Sequence, residues 1–272
     1  MTEFGLIGHP VAHSMSKAMF TAAFRELGLD YSYGLFDVEE DDLRLFIENA
    51  NFKGLNVTIP LKVRVLDYMD ELSDDARLVG AVNTIEFGKG GLIGHNTDAD
   101  GFMKLLADEG VDVRGMNYLV LGSGGAARAI VFKLAFGGAR VYVNDRKPER
   151  AQALADEVLR KTDIRVEAAE LKERIGGVDV IVNATAAGMS PNVDETPVPR
   201  EALNPSLTVV DIVYNPLKTR LLSDAKEMGC RTVGGVGMLV NQGAEALRIW
   251  LNAEPPRDAM RDAILEILEC KA

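Results

Sequence analysis

A chain of 272 residues with 47% hydrophobic side chains holds enough apolar material for two ordinary domains, which excludes a disordered or low-complexity protein. Its net charge of −11 excludes nucleic acid and an anionic membrane as partners, since either needs a basic face. Cys230 and Cys270 lie far apart without metal-ligand spacing, and no basic segment leads into a long apolar run at the start, so free thiols and a cytoplasmic location are expected, with no metal.

In chain order, Phe4 to Ile7 predicts a strand, Ser16 to Leu27 a helix, Tyr31 to Phe36 a strand and Asp41 to Asn49 a helix with an acidic first turn. Leu55 to Ile59 predicts a third strand, and Lys62 to Met69 has helical spacing. Ile85 to Phe87 is strand-like, and Gly101 to Glu109 is a helical pattern at a domain junction. A second alternating series follows, with strands at Leu119 to Leu121, Arg140 to Val143, Ile164 to Ala168, Val178 to Asn183, Leu207 to Ile212 and Arg231 to Val233. Helices at Ala126 to Phe136, Pro148 to Lys161 and Lys218 to Met228 separate them, and the proline-containing stretch Gly188 to Pro199 reads as a surface loop. Two helices close the chain, Gly237 to Asn252 and Arg257 to Cys270. Alternation of this kind predicts α/β architecture with mostly parallel sheets, whose ligands gather where strand C-termini meet helix N-termini.

Polar residues gather at those junctions. The apolar run ending at Leu121 breaks into Gly122-Ser123-Gly124-Gly125-Ala126 before a helix, which reads either as a tight turn or as a cradle where backbone N–H groups face a diphosphate. Ser14 and Ser16 open the first helix, as N-caps or as hydroxyls of a carboxylate site. Asn56-Val-Thr58-Ile-Pro60-Leu-Lys62 ends the third strand, and Pro60 suits the first turn of a following helix. Gly80-Ala-Val-Asn83-Thr84 and Gly94-His-Asn96-Thr97-Asp98-Ala-Asp-Gly101 come next, the latter at the domain junction.

These blocks, with Gly235-Val-Gly237-Met238-Leu-Val-Asn-Gln242, resemble the shikimate dehydrogenase family in identity, order and spacing over nearly the whole chain. The resemblance implies reversible reduction of 3-dehydroshikimate to shikimate with NADP, in aromatic amino-acid biosynthesis. It implies an N-terminal α/β substrate domain (residues 1–99 with 239–272), an inserted Rossmann domain (100–238) and an active site in the cleft between them. By the same likeness Lys62 and Asp98 are the catalytic pair, and Ser14, Ser16, Thr58, Asn83, Tyr214 and Gln242 bind the substrate. Gly122, Ser123, Gly124, Gly125 and Ala126, with Ile212 and Gly235, hold the cofactor. An alkoxide forms when a ketone is reduced, so the chemistry needs a proton donor such as Lys62, oriented by Asp98.

Cofactor choice rests on Asp145-Arg146-Lys147, about 20 residues past the glycines. Asp145 alone favours NAD, the two cations favour NADP, and the balance leans to NADP with NAD possible. Lys17 and Phe20 depart from the family's usual proline and histidine, which leaves a dehydrogenase that also accepts quinate as the alternative. A non-catalytic metabolite sensor is the remote reading, disfavoured by the presence of both Lys62 and Asp98. The partner is a small molecule, and the chain is expected to act as a monomer or homodimer.

Overall fold

Short runs rich in β-branched and aromatic residues, each followed by an amphipathic segment, fold as strand–helix units, and a computed structural model describes them over residues 3–270. The elements are β1 (Phe4–Gly8), α1 (Ser16–Glu26), β2 (Tyr33–Asp37), α2 (Leu43–Glu48), β3 (Gly54–Val57), β4 (Glu71–Leu72), α3 (Asp74–Val79), β5 (Thr84–Gly88), β6 (Gly91–His95) and α4 (Asp98–Asp108). They continue with β7 (Asn117–Leu121), α5 (Gly125–Phe136), β8 (Arg140–Asn144), α6 (Pro148–Thr162), β9 (Glu167–Ala168), α7 (Leu171–Arg174), β10 (Val180–Asn183) and β11 (Thr208–Asp211). The last are α8 (Arg220–Glu227), β12 (Arg231–Val233), α9 (Val236–Leu251) and α10 (Arg257–Glu269). Two compact units result, over the described residues 3–101 with 240–267, and 102–239 with 268–270. Among the described residues, no helix is long and apolar enough to cross a membrane.

The first unit carries a sheet in the order β2-β1-β3-β5-β6-β4. Strand β1 runs parallel to β2 and β3, while β5 is antiparallel to both β3 and β6. Hydrophobic side chains from the strands (Ile7, Leu55, Val57, Ile85) pack with Leu43, Ile47, Leu61 and Val65, all of them buried. Each such aliphatic side chain contributes about 1.5–3 kcal/mol. The register aligns Leu6 with Asn56, Asn56 with Thr84 and Thr84 with His95, so polar residues of β3 and β5 stand side by side.

Several expected elements differ. Lys62 to Met69 is not an α-helix: after a turn at residues 60–63 it forms a 3₁₀ segment, Arg64–Tyr68. Two β-branched residues, Val63 and Val65, weaken helix formation there, and the Asp70 N–H bonds Leu92 O, drawing the chain back to the sheet. Pro60 therefore opens no helix. The Asp41 to Asn49 segment divides into a 3₁₀ turn, Glu40–Asp42, and the short α2. Helix α3 went unpredicted because six residues carry too little periodicity, yet its ends are well marked. Ser73 accepts from Ala76 N–H at 3.2 Å, Asp74 and Asp75 fill the first turn, and Gly80 closes it at φ 67°.

The second unit is a sheet in the order β12-β11-β10-β7-β8-β9, parallel at each pairing. Its strand ends enclose a buried polar group. Asp211, fully buried at the end of β11, accepts from Asn183 Nδ2 at 2.9 Å, Val213 N at 3.1 Å and Thr219 Oγ1 at 2.6 Å. Burial outweighs these bonds and pushes its carboxyl up to about 6. A folded value raised above that of the unfolded chain means that ionisation disfavours folding. The protonated carboxyl imposes no such penalty below about pH 4, and the penalty grows to about 3 kcal/mol as pH rises through the folded value. Asp211→Asn keeps the shape and both hydrogen-bonding ends without the charge. Its urea-unfolding stability relative to the parent is expected to rise from about pH 4 to about pH 7, and a difference that stays flat over that window counts against an ionising Asp211.

Candidate functional site

Within the first unit the candidate residues lie on four chain segments and on α9, which carries Gln242. Ser14 and Ser16 follow β1 and open α1, whose cap residue Met15 makes no side-chain capping bond. Ser14 Oγ donates to Ser16 Oγ at 3.1 Å and accepts from the Ser16 N–H at 3.2 Å, so the two hydroxyls form one paired group. Thr58 and Lys62 lie beyond β3, and the Thr58 N–H donates to Ile7 O at 2.9 Å, which ties that loop to β1. Asn83 precedes β5, and Asp98 begins α4 after β6.

Lys62 Nζ donates to Asp98 Oδ2 at 2.5 Å, with the two side chains only 14% and 6% exposed. The other carboxylate oxygen, Oδ1, accepts from Asn83 Nδ2 at 2.9 Å. That amide also approaches Thr97 Oγ1 at 2.9 Å and Gln242 Oε1 at 3.3 Å, while Asn83 Oδ1 accepts the Thr97 N–H at 2.8 Å. Gln242 packs closely on Gly101, where a Cβ would meet the Gln242 backbone at 2.8 Å. An ammonium held beside a carboxylate in a nearly dry setting can give up a proton to a developing alkoxide and recover it, and the fixed carboxylate keeps it aimed.

The structure thus brings together Ser14 with Ser16, and Lys62, Asp98, Asn83 and Gln242 with one another. Asn56, Thr84 and Thr97 belong to the same hydrogen-bonded set, since Asn56 Nδ2 donates to Thr84 Oγ1 at 3.1 Å and Thr84 Oγ1 to Asn83 Oδ1 at 3.1 Å. These three lay inside the sequence blocks without being assigned a role at the site. Tyr33, whose hydroxyl donates to Asn56 Oδ1 at 2.7 Å, had no signal in the sequence, because a tyrosine in a predicted strand reads as a β-former.

The second unit holds the remaining candidates. Gly122 sits at φ 108°, and a Cβ there would lie 2.9 Å from Ala184 O, so only glycine fits. A Cβ on Gly124 would meet nothing within 4 Å, which leaves open space over the start of α5. The first turn of that helix carries no acidic residue, so its N–H groups and dipole face that space unopposed. This geometry fits a diphosphate. Gly235 touches the backbone of Ile212, with 2.3 Å from an added Cβ to Ile212 O, and Tyr214 follows on the same loop, half-buried. Just past β8, Asp145 accepts from Ser123 Oγ at 2.7 Å and from Lys147 N at 2.9 Å. Burial raises its pKa, but those two bonds with Arg150 and Arg146 hold it below the usual carboxylate range. Arg146 and Lys147 are exposed beside it.

Comparison with known proteins gives three family matches along the chain. Residues 6–85 match the shikimate dehydrogenase substrate binding domain, residues 105–216 the shikimate / quinate 5-dehydrogenase model, and residues 235–265 the shikimate 5'-dehydrogenase C-terminal domain. A shikimate dehydrogenase (NADP(+)) of Methanopyrus kandleri is 46% identical over 97% of this chain and 95% of its own length. One from Methanosarcina mazei is 46% identical over 98% of each. Among solved structures, a shikimate dehydrogenase in complex with NADP+ superposes with a TM-score of 0.94 at 42% identity, covering 98% of this chain and 96% of that one. The Thermus thermophilus enzyme in complex with NADP(H) and shikimate does so at 0.87 and 38%, covering 98% and 99%. Sequence and fold agree over nearly the whole chain, and the chain belongs to the shikimate dehydrogenase family.

Proposed function

We propose that this protein is an NADP-dependent shikimate dehydrogenase that interconverts 3-dehydroshikimate and shikimate. The observation that carries the reading is the Lys62–Asp98 pair, buried and braced by Asn83 in a family whose relatives bear that name. Ser14 and Ser16 take the substrate carboxylate, being two adjacent hydroxyls with few competing duties at the start of a helix. Thr58, Asn83, Gln242 and Tyr214 line the ring hydroxyls and the carboxylate. NADPH, when bound, supplies the hydride. Lys62 gives the proton to the ketone oxygen and takes it back in the reverse direction, while Asp98 orients the ammonium and accepts a hydrogen bond from the ring hydroxyl.

The turn at Gly122 to Ala126 holds the diphosphate, with Ile212 and Gly235 beside the nicotinamide. Asp145 has both oxygens engaged by Ser123 and the Lys147 N–H, which leaves Arg146 and Lys147 to receive the 2′-phosphate. The two cysteines are unpaired, which suits the reducing cytoplasm, and the enzyme acts as a monomer or homodimer.

Purified protein mixed with shikimate and NADP should generate the absorbance of reduced nicotinamide, and its absence with both NADP and NAD overturns the reading. Lys62→Ala should lower kcat by about 10²–10⁴-fold, the usual worth of a positioned proton donor. If only KM rises, Lys62 binds but does not transfer the proton. Arg146→Ala should raise KM for NADP about tenfold or more, as loss of a charge-assisted phosphate contact does, while KM for NAD stays within about twofold. An equal change for both cofactors removes Arg146 from phosphate recognition.

A further inference from the structure

In the second unit three polar side chains with no solvent exposure meet: Asn183 at the end of β10, Asp211 at the end of β11 and Thr219 at the cap of α8. Asn183 and Asp211 face each other across the two parallel strands. Proton transfer at Lys62 uses none of the three, yet a buried carboxylate costs stability unless its oxygens are met.

Backbone groups fix the direction of each bond. Asn183 Nδ2 donates to the Ala187 carbonyl at 3.2 Å, which can only accept, and Asn183 Oδ1 takes the Thr185 N–H at 3.1 Å, which can only donate. The other amide proton therefore goes to Asp211 Oδ1 at 2.9 Å. Thr219 Oγ1 accepts the Leu222 N–H at 3.2 Å, so its own proton goes to Asp211 Oδ2 at 2.6 Å. Both partners of the carboxylate are thus anchored to backbone, and the carboxylate itself cannot turn. Its Oδ1 also takes the Val213 N–H at 3.1 Å, and the preceding Ile212 N–H bonds the Asn183 carbonyl at 3.1 Å. The carbonyls of the same two residues abut Gly235, where an added Cβ would lie 2.3 Å from Ile212 O and 2.8 Å from Val213 O. Bonds hold this segment at its N–H groups, and contact holds it at its carbonyls.

We propose that Asp211 is a positioning residue of the cofactor site, holding the segment Ile212–Val213 against Gly235 in the arrangement that receives the nicotinamide end of NADP. This rests on the reading that Ile212 and Gly235 lie beside the nicotinamide. The role belongs to the acceptor oxygen and not to the charge. Asp211→Asn keeps an Oδ1 for Val213 and Asn183, whereas Asp211→Ala removes it and leaves the Val213 N–H unsatisfied or the segment displaced.

The test is calorimetric titration of parent, Asp211→Ala and Asp211→Asn with NADP and with adenosine 2′,5′-bisphosphate, which carries the adenine and the 2′-phosphate but no nicotinamide. NADP binding by the parent tests the cofactor reading separately, so its failure is distinct from failure of the Asp211 role. Asp211→Ala is expected to raise the Kd for NADP about tenfold, the effect of one lost buried hydrogen bond, with the bisphosphate within about twofold of the parent. Asp211→Asn keeps both ligands within about twofold. A merely structural loss lowers the number of binding sites and leaves the affinity of the remainder alone. Should Asp211→Ala not fold, amide exchange in the parent without cofactor decides, the Ile212 and Val213 amides being expected to be protected. The role is overturned if Asp211→Ala binds NADP as the parent does, if both ligands weaken together, if Asp211→Asn loses as much affinity as Asp211→Ala, or if those two amides exchange freely.

Discussion

A carboxylate and an ammonium buried together constrain everything else in the first unit. Lys62 and Asp98 are almost free of solvent, and moving such ions out of water costs several kcal/mol each unless their remaining hydrogen-bonding positions are met. Lys62 meets one oxygen of Asp98 and Asn83 the other. Asn83 is in turn buried and must be satisfied at both ends, which Thr97, Thr84 and Gln242 do. The requirement propagates outward through Thr84 and Asn56 until it reaches backbone groups. Among the described residues, the buried side-chain nitrogen or oxygen left without a partner is Arg257 Nε, which is not one of the atoms in this chain of bonds. A network closed in this way is rigid, because turning any one amide breaks two bonds.

The strand directions make that closure possible. Because β5 runs antiparallel to β3 and β6, its beginning lies at the same sheet edge as the ends of those two strands. The end of β3 leads to Thr58 and Lys62, the end of β6 to Thr97 and Asp98, and the beginning of β5 is preceded by Asn83. Strand β1, parallel to β3, brings Ser14 and Ser16 to that edge as well. Had β5 been parallel, Asn83 would lie at the opposite edge, a full strand length from Asp98, and the buried carboxylate would lack its second donor. The one reversal in a mostly parallel design is therefore what assembles the cluster.

That reversal was the part of the fold least visible in the sequence. Strand–helix alternation, the glycine turn and the polar blocks could be read directly, since each has its own local pattern and the blocks carried the family resemblance. The hairpin could not, because Gly88-Lys-Gly-Gly91 gives only a turn, with nothing in it to say which strands pair or in which direction. Lys62 to Met69 misled for the opposite reason: its spacing was helical, but two β-branched residues and a pull toward Leu92 outweighed the periodicity. Tyr33 was invisible because its contribution depends on a hydroxyl reaching two strands away, whereas the sequence shows only a side chain suited to a sheet.

The cofactor question shows the same limit at one residue. On paper Asp145 and its neighbours Arg146 and Lys147 give opposed signals, and counting charges cannot rank them. What the sequence does not show is what the carboxylate already meets, which involves Ser123, 22 residues earlier in the chain, and the backbone of Lys147. With a hydroxyl at 2.7 Å and an N–H at 2.9 Å, the acid closes the glycine turn onto the end of β8. Its charge is partly compensated by those donors and by Arg146 and Arg150, so it opposes a nearby phosphate less than a free aspartate does. An acid that reads as an NAD signal in isolation is, once its partners are known, also a brace for a turn beside two exposed cations.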